Sequence, residues 1–225
     1  MDEVVGRWRL SRGQPLDRNS TIHPAGLIGG GAPDERLVEV HRLPTGFDPT
    51  DVVATLRQAA RLSDPGLVTI ADVGAAELDG QAVIYVVTAR WQESLTPGPR
   101  AEDDLLAMAA NLAGGLATLH RSYLLHGAVH RAGVRWSGSA WQLGPAGLAP
   151  LLETEIAPYR PPGLQVVEPV AAPADLWSLG VILHEQATGR LLRPGEEPVI
   201  GAMPRLTSLV TDLLQLNPDD RPTAD

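Results

Sequence analysis

The sequence changes character near residues 91–100, where strand-like patterns give way to helical ones. Over 6–43, short runs of residues are separated by Gly, Pro, Asn and Asp, as in a meander of antiparallel strands. A helical spacing of apolar residues over 48–62 follows, and then two β-branched runs at 67–72 and 81–90 flank a turn. A chain that begins with strands and continues with helices is expected to form two dissimilar parts, so we predict an α+β fold.

Beyond residue 100 the spacing of apolar residues predicts helices. The helix over 102–121 begins with acidic residues and ends with basic ones, as the helix dipole prefers. The other predicted elements are short strands around Val134 and Trp141, a Pro- and Gly-rich loop over 144–173, a helix over 174–188 closed by Gly189, and a helix over 206–216. We place the boundary so that the two parts cover 1–92 and 93–225.

The charged residues narrow the range of functions. The 18 basic residues are all Arg, the acidic residues number 27, and the net charge is −9. Nucleic acids and anionic membranes bind basic surfaces, so this composition argues against both as partners. The chain has no Lys for a phosphate site or a Schiff base, and no Cys for a disulfide or a thiolate site. The acidic start lacks the basic region and apolar core of a signal peptide, and we expect a cytoplasmic protein.

Four segments carry a resemblance that covers nearly the whole chain. They read ADLWSLGVILHEQATGR at 174–190, LVTDLLQLNPDDRPTA at 209–224, LATLHRSYLLHG at 116–127 and LSDPGLVTIADVG at 62–74. Together they resemble the Ser/Thr protein kinase fold, and the first is similar to the central buried helix of that family. The resemblance implies a two-lobed fold, with a β-rich N-lobe that holds one main helix and a mostly helical C-lobe.

In the N-lobe, the positions that hold ATP in this family carry other residues here. The resemblance places His41 at the lysine that binds the phosphates and Thr55 at the glutamate that pairs with that lysine. A mostly neutral imidazole does not replace a fixed ammonium group on phosphate. The segment equivalent to the phosphate-covering loop, 11–20, has only Gly13 in place of three glycines, and Gly29–Gly31 is interpreted as a turn between strands.

In the C-lobe, the resemblance implies that the catalytic groups are also missing. Ala128 stands at the catalytic base, His130 at the catalytic-loop lysine and Gly133 at the asparagine that binds magnesium. Pro145 stands at the aspartate of the D-F-G motif, the second magnesium ligand. No Asp or Glu occurs anywhere over 126–149, so this segment offers no carboxylate to a metal ion.

The positions that support the scaffold keep the residues of the family. The resemblance implies that His126 packs the catalytic loop onto the core, that Gly147 keeps the glycine of D-F-G, and that Asp175 accepts hydrogen bonds from the backbone of the catalytic loop. The central helix also keeps Trp177 and Gly180, for which we expect a structural role. His126 and His130 are four residues apart, but no carboxylate lies near them in sequence, so a metal site there is the weaker interpretation.

Arg221 normally pairs with the glutamate of the A-P-E motif in this family. Here YRPPG over 159–163 places Gly163 at that glutamate. The sequence leaves three alternatives for Arg221, namely an ion pair with Glu168, an ion pair with Glu185, or solvation.

Two further features are open to more than one interpretation. Thr154, between two glutamates, is the only Ser or Thr from Pro145 to Pro162 in the segment equivalent to the activation loop, so it is a possible phospho-switch or part of a plain solvated loop. Trp91, Trp136 and Trp141 suit either an exposed protein interface or packing inside a lobe.

The leading hypothesis is a catalytically inactive pseudokinase domain that needs no cofactor and acts as a scaffold or allosteric regulator. Its partner would be an active kinase, a phosphothreonine-binding module or the rest of its own chain, with a possible tether to the inner face of a membrane through downstream sequence. One alternative is a nucleotide or small-molecule sensor, because Val86, Val87 and Thr88 at the gatekeeper position leave an apolar slot. The other is an atypical nucleotide-transfer enzyme, which would need carboxylates for its metal.

Overall fold

The computed structural model describes residues 3–11, 13–15, 20–28, 36–96, 98–163, 171–193 and 195–224. The chain forms two compact units. The N-terminal unit comprises Met1–Ser63 and Val68–Trp91, and the C-terminal unit comprises Asp64–Leu67 and Gln92–Asp225. The sequence-based boundary after residue 92 therefore misses residues 64–67, which belong to the C-terminal unit.

The N-terminal unit is built on one antiparallel sheet. Its strands are β1 (Glu3–Val5), β2 (Trp8–Leu10), β3 (Gln14–Pro15), β4 (Ser20–Leu27), β5 (Arg36–Arg42), β6 (Ile70–Leu78) and β7 (Gln81–Ala89). The strand order is β1-β2-β4-β5-β7-β6, and β3 pairs with β4 beside this path. A two-residue turn, Asp79-Gly80, joins β6 to β7, and both residues have positive φ, as in the turns that match the twist of a hairpin.

Side chains alternate between the two faces of the central strand β5. Val38 and Val40 belong to a core cluster with Trp8, Tyr85 and other buried residues of the sheet. Leu37, Glu39 and His41 share the opposite face, because strand residues two apart point the same way. The helix α1 (Thr50–Ala59) packs on β6, with Val52, Val53, Leu56 and Ala59 buried.

The C-terminal unit is organised around a buried helix. Its elements are β8 (Glu93–Ser94), α2 (Glu102–Arg121), β9 (Val134–Trp136), β10 (Trp141–Leu143), α3 (Glu153–Ile156), α4 (Ala172–Thr188) and α5 (Pro204–Leu213). In α4 every residue from Ala174 to Gln186 is buried, so apolar residues occur on all sides of this stretch, and its polar residues are buried as well. The helix packs against both α2 and α5, and it ends at Gly189 with φ +74°.

A close approach of helices depends on Gly180. A Cβ atom at this position would lie 3.0 Å from the Cβ of Leu213 and from side-chain atoms of Leu214. The absence of a side chain at Gly180 therefore lets α4 and α5 pack closely, and this packing explains why a glycine occupies the position.

Several elements differ from the sequence expectations. The strand predicted over 67–72 begins only at Ile70, because Leu67 pairs with Leu143 in an isolated parallel bridge of the C-terminal unit. The loop predicted over 144–173 contains α3 and short 3₁₀ turns. The strand β8 escaped prediction, since two residues carry no pattern and gain their structure by pairing with β9.

Candidate functional site

His41 lies on β5, at the position where the resemblance implies the lysine that binds ATP. Glu39 lies two residues earlier on the same strand, and both residues are buried. His41, which is 1% exposed, has its Nδ1 2.7 Å from the Ser20 hydroxyl on β4. Its Nε2 lies 3.6 Å from Oε2 of Glu39, which is also 1% exposed. The sheet thus supplies a hydroxyl and a carboxylate to the imidazole. Residues two apart on a strand share a face, so strand alternation is the sequence signal for the Glu39–His41 pair.

The other N-lobe positions also use their polar groups locally. The Thr55 hydroxyl donates a hydrogen bond of 2.9 Å to the carbonyl oxygen of Asp51 within α1. Gly13 faces the ring of His23 so closely that a side chain there would overlap it, so packing accounts for this glycine. Gly29–Gly31 lie outside the described residues.

Asp175, near the start of α4, binds the main chain of the loop that follows α2. Its Oδ2 accepts a hydrogen bond of 2.9 Å from the His126 amide and lies 3.0 Å from Nε2 of His120. Its Oδ1 accepts a hydrogen bond of 2.8 Å from the Gly127 amide. Asp175 is 1% exposed, and these donors replace the water that a buried carboxylate gives up. The two backbone bonds are those that the resemblance implies.

The ring of His126 holds this loop to the segment after β10. Its Nε2 lies 3.1 Å from the carbonyl oxygen of Gly144, and its Nδ1 accepts a hydrogen bond of 3.2 Å from the Ala128 amide. This pattern requires the neutral ring with its proton on Nε2. Burial lowers the pKa of His126, and the nearby Asp175 carboxylate opposes that shift only in part.

The positions implied for the base and the magnesium ligands carry no charged side chain. Ala128 is 2% exposed, and Pro145 is buried. Gly133 accepts a hydrogen bond of 2.8 Å from the Gly144 amide at its carbonyl oxygen. Gly147, with φ +87°, donates its amide to the carbonyl oxygen of His126 at 3.0 Å. The loop is therefore held by main-chain bonds, by the ring of His126 and by the carboxylate of Asp175.

A second buried carboxylate, that of Glu185 on α4, contacts Tyr159 and Arg131. The Tyr159 hydroxyl donates to its Oε2 at 2.9 Å, and Nε of Arg131 lies 3.2 Å from its Oε1. Burial raises the pKa of Tyr159 to about 12. The ring of His130 packs edge-on against that of Tyr159, with centroids 6.4 Å apart. Arg131, next to His130, carried no sequence signal for this role.

Arg221 is neither paired with Glu185 nor solvated, and Glu168 lies outside the described residues. The guanidinium donates to the carbonyl oxygens of Gln215, Pro173 and Leu216 at 2.8, 2.9 and 3.2 Å. It also lies over the Trp177 ring, 5.0 Å from the centroid. Arg221 is 8% exposed, and burial lowers its pKa. Carbonyl dipoles and an aromatic face take the place of the expected carboxylate.

Thr154 and the three tryptophans occupy different environments. Thr154 is exposed in the one-turn helix α3, where the preceding Glu153 pairs with Arg160. Trp141 is buried and tilted against Trp136, with centroids 5.3 Å apart, inside the small sheet of the C-terminal unit. The Arg100 guanidinium lies 4.9 Å from the centroid of the Trp141 ring, and Trp91 is half-buried.

In the part of the chain that the structure describes, no three His, Asp or Glu side chains converge as a metal site would require. Within the same residues, none of the helices combines the length and the apolar character needed to cross a bilayer.

Similarity to solved structures identifies the fold. No protein-family model matches the sequence, and no curated protein matches it. A crystal structure of the PknI kinase domain of Mycobacterium tuberculosis has a TM-score of 0.75 and 21% identity, with 97% of this chain and 92% of that chain covered. A second crystal structure of that domain has a TM-score of 0.72 and 20% identity, with 98% of this chain and 91% of that chain covered. The chain therefore adopts the two-lobed α+β fold of the Ser/Thr protein kinases.

Proposed function

We propose that this chain is a catalytically inactive, kinase-like domain that acts as a protein-interaction scaffold or allosteric regulator and does not bind Mg-ATP. The observation that carries the proposal is the identity of the residues at the positions where the resemblance implies the catalytic base and the magnesium ligands. Ala128, Gly133 and Pro145 offer neither a base nor a metal ligand, and the whole chain lacks Lys. Phosphoryl transfer relies on groups that position the phosphates and neutralise their charge. We therefore expect a site without these groups not to transfer phosphate.

The carboxylates that touch the loop after α2 support the proposal, because both are already engaged. Asp175 binds the amides of His126 and Gly127, and Glu185 binds Tyr159 and Arg131. Recruiting either carboxylate to a magnesium ion would leave buried donors without partners, at a cost of about 1 to 3 kcal/mol for each.

His41 supports the same proposal in the N-terminal unit. Its Nδ1 lies 2.7 Å from the Ser20 hydroxyl, and its Nε2 lies 3.6 Å from the Glu39 carboxyl, so a phosphate on the imidazole would have to displace Ser20 or pack against Glu39. Glu39 is an acidic residue, so it offers a phosphate no cation to pair with.

The test is a thermal-shift titration with ATP, ADP and adenosine, each with and without Mg²⁺ or Mn²⁺, followed by a phosphoryl-transfer assay with radiolabelled ATP. A ligand at a hundredfold excess over its Kd stabilises the folded state by about 2.7 kcal/mol, so even weak binding is visible. We expect no metal-dependent shift and no transfer. A metal-dependent shift, or transfer that co-purifies with the domain, contradicts the proposal.

One observation favours a second candidate, a sensor that binds a nucleoside without turnover. Thr88 is 0% exposed, and its hydroxyl has no hydrogen-bond partner among the described residues. A heteroaromatic ligand that displaced the side chains covering this hydroxyl would supply the hydrogen-bond partner that it lacks. A shift with adenosine alone, abolished in Thr88→Val and unaffected by metal, would support the sensor over the scaffold.

A further inference from the structure

The C-terminal unit contains a groove that the proposed function does not use. It lies between the loop after α4 and the end of α5, and its volume is about 570 Å³. Among the described residues, the lining combines apolar, uncharged polar and acidic side chains and includes no basic one: Glu197, Pro198, Thr211, Leu214, Gln215, Leu216, Asn217 and Asp220. A concave surface with a few polar groups beside apolar ones is the usual form of a binding site.

The apolar part of the groove includes a large side chain that is exposed to solvent. Leu216 is 74% exposed, although the adjacent lining residue Leu214 is buried. Pro198 lines the same groove, and its neighbour Val199 is 67% exposed. Apolar side chains that are exposed around one groove, rather than scattered singly, are typical of a surface that binds another molecule.

The side-chain donors of the lining are used within the protein. The Thr211 hydroxyl donates a hydrogen bond of 2.8 Å to the carbonyl oxygen of Thr207, and the Gln215 amide donates one of 3.1 Å to that of Thr211. The Asn217 amide donates to Oδ2 of Asp220 at 3.0 Å. The groove therefore offers mainly hydrogen-bond acceptors to a ligand.

The two carboxylates of the lining lack a cation. Glu197 and Asp220 have no ion-pair partner in the part of the chain that is described, whereas the neighbouring Glu196 pairs with Arg190 at 2.7 Å. Arg221 follows Asp220 in the chain, but its guanidinium donates to main-chain carbonyl oxygens and does not line the groove. A cationic ligand would supply the charge that these carboxylates lack.

Arg221 also holds one wall of the groove in place. Its guanidinium donates to the carbonyl oxygens of Gln215 and Leu216 at 2.8 and 3.2 Å, and to that of Pro173 at 2.9 Å. A wall that is already held requires little rearrangement on binding, which favours affinity.

We propose that this groove binds an arginine side chain from a basic segment of a partner protein, with the aliphatic stem on Pro198 and Leu216 and the guanidinium at Glu197 and Asp220. The inference rests on the proposed scaffold function and specifies the chemistry of the partner. Arginine joins an apolar stem to a planar group of hydrogen-bond donors, which matches a groove of apolar walls and acceptors. An acidic segment would meet unpaired carboxylates, and a purely apolar one would bury them without a partner.

The test is a selection of random dodecapeptides against the intact chain, followed by fluorescence anisotropy with the labelled consensus peptide. We expect a consensus that contains arginine beside apolar residues. Replacing that arginine by citrulline, an uncharged analogue of the same shape, should weaken binding at least tenfold. Raising the salt concentration should weaken binding of the arginine peptide, because exposed charges are screened.

Three variants of the chain test the place of binding. Glu197→Gln and Asp220→Asn remove one charge each with little change of shape, and each should weaken binding of the arginine peptide at least fivefold. Leu216→Ser should weaken it as well, and this variant should fold normally because the side chain is exposed. The Tm of each variant, measured without peptide, checks that the fold is kept.

Asp212→Asn is the matched control, because it removes one charge at an exposed residue of α5 outside the lining. Its affinity should stay within twofold of the wild type. An acidic consensus, the absence of any consensus, full binding of the citrulline peptide, or an equal effect of Asp212→Asn and Glu197→Gln would overturn the site. These outcomes leave the nucleotide titration and the transfer assay untouched, so failure of the groove is distinguishable from failure of the proposed function.

Discussion

At the scale of single residues, Arg221 is a buried cation balanced by main-chain dipoles. Its bond to the carbonyl oxygen of Pro173 joins the segment after α5 to the start of α4, and its bonds to Gln215 and Leu216 hold that segment together. Each bond from a charged donor is worth about 1.5 to 3 kcal/mol, and the acceptors left behind would be poorly satisfied. We expect Arg221→Gln to lower the free energy of unfolding by about 2 to 4 kcal/mol, measured by urea denaturation.

Arg205→Gln is the control for that prediction, because Arg205 pairs with Glu102 and Asp103 at the surface. Exposed ion pairs contribute little, so the free energy of unfolding should hardly change. Equal losses in the two variants would mean that the carbonyl bonds of Arg221 are not what stabilises this region.

Two buried histidines predict how stability depends on pH. Burial lowers the pKa of His126 and, together with the cation of Arg190, that of His184. Below about pH 6.5 the unfolded chain binds protons that the native state does not, so stability is complete above that pH and falls as the pH drops. We expect the free energy of unfolding to decrease from pH 7 to pH 5, by up to about 1.4 kcal/mol per pH unit for each histidine. His184→Leu should reduce this slope, and an unchanged slope would contradict the assignment.

The sequence identified some residues of the site and missed others for a physical reason. Asp175 and Gly147 were predictable because a motif carries their backbone roles, which do not depend on neighbouring side chains. The carbonyl partners of Arg221 and the ion pair of Arg131 with Glu185 depend on how distant segments meet. No local pattern encodes contacts between distant segments, so the sequence left Arg221 with a glutamate or solvent as its expected surroundings and gave no role for Arg131.

At the scale of elements, alanine substitutions at the adjacent glycines 114 and 115 of α2 are expected to change stability in opposite directions. A Cβ on Gly115 would lie 2.8 Å from the carbonyl oxygen of Gly66, whereas one on Gly114 would meet nothing closer than 3.8 Å. Overpacking typically costs about 1 to 3 kcal/mol, and replacing an unhindered helical glycine by alanine gains about 0.5 to 1 kcal/mol. We expect thermal denaturation to give a lower Tm for Gly115→Ala and a higher Tm for Gly114→Ala. Stabilisation by both substitutions would mean that residues 64–67 do not pack closely on α2.

Elements were predictable where local signals agree. The helix α2 has the predicted bounds, because acidic residues at its start and His120 and Arg121 at its end mark both limits. The helix α5 begins at Pro204 and ends at Leu213, two and three residues before the predicted limits, and Pro is common in the first turn of a helix. Short strands such as β8 depend on a partner strand and have no local signal.

At the scale of the whole molecule, the chain enters the C-terminal unit twice, first at residues 64–67 and again from residue 92, whereas the sequence predicts a single boundary. Residues 64–67 belong to the C-terminal unit, where the Leu143 amide donates 2.7 Å to the carbonyl oxygen of Gly66 and the Thr118 hydroxyl donates 2.7 Å to Asp64. A fragment cut at the boundary predicted from the sequence lacks these contacts. We expect 93–225 alone to give weaker near-ultraviolet circular dichroism from its tryptophans and a lower Tm than the intact chain.

Addition of a 1–92 fragment, which contains residues 64–67, is the control and should restore part of the signal. A fragment 93–225 with the spectrum and Tm of the intact chain would mean that the four residues contribute nothing to the C-terminal unit.

The anchor at Asp175 has a consequence for how such a molecule can change over time. Its carboxylate binds backbone amide groups, which every residue except proline provides. These bonds therefore do not depend on the side chain at position 128. A change of the side chain at position 128 therefore leaves these two hydrogen bonds in place. The main-chain path of the loop is set by a residue of another element, so it can be kept while the side chain that the loop presents at this position changes.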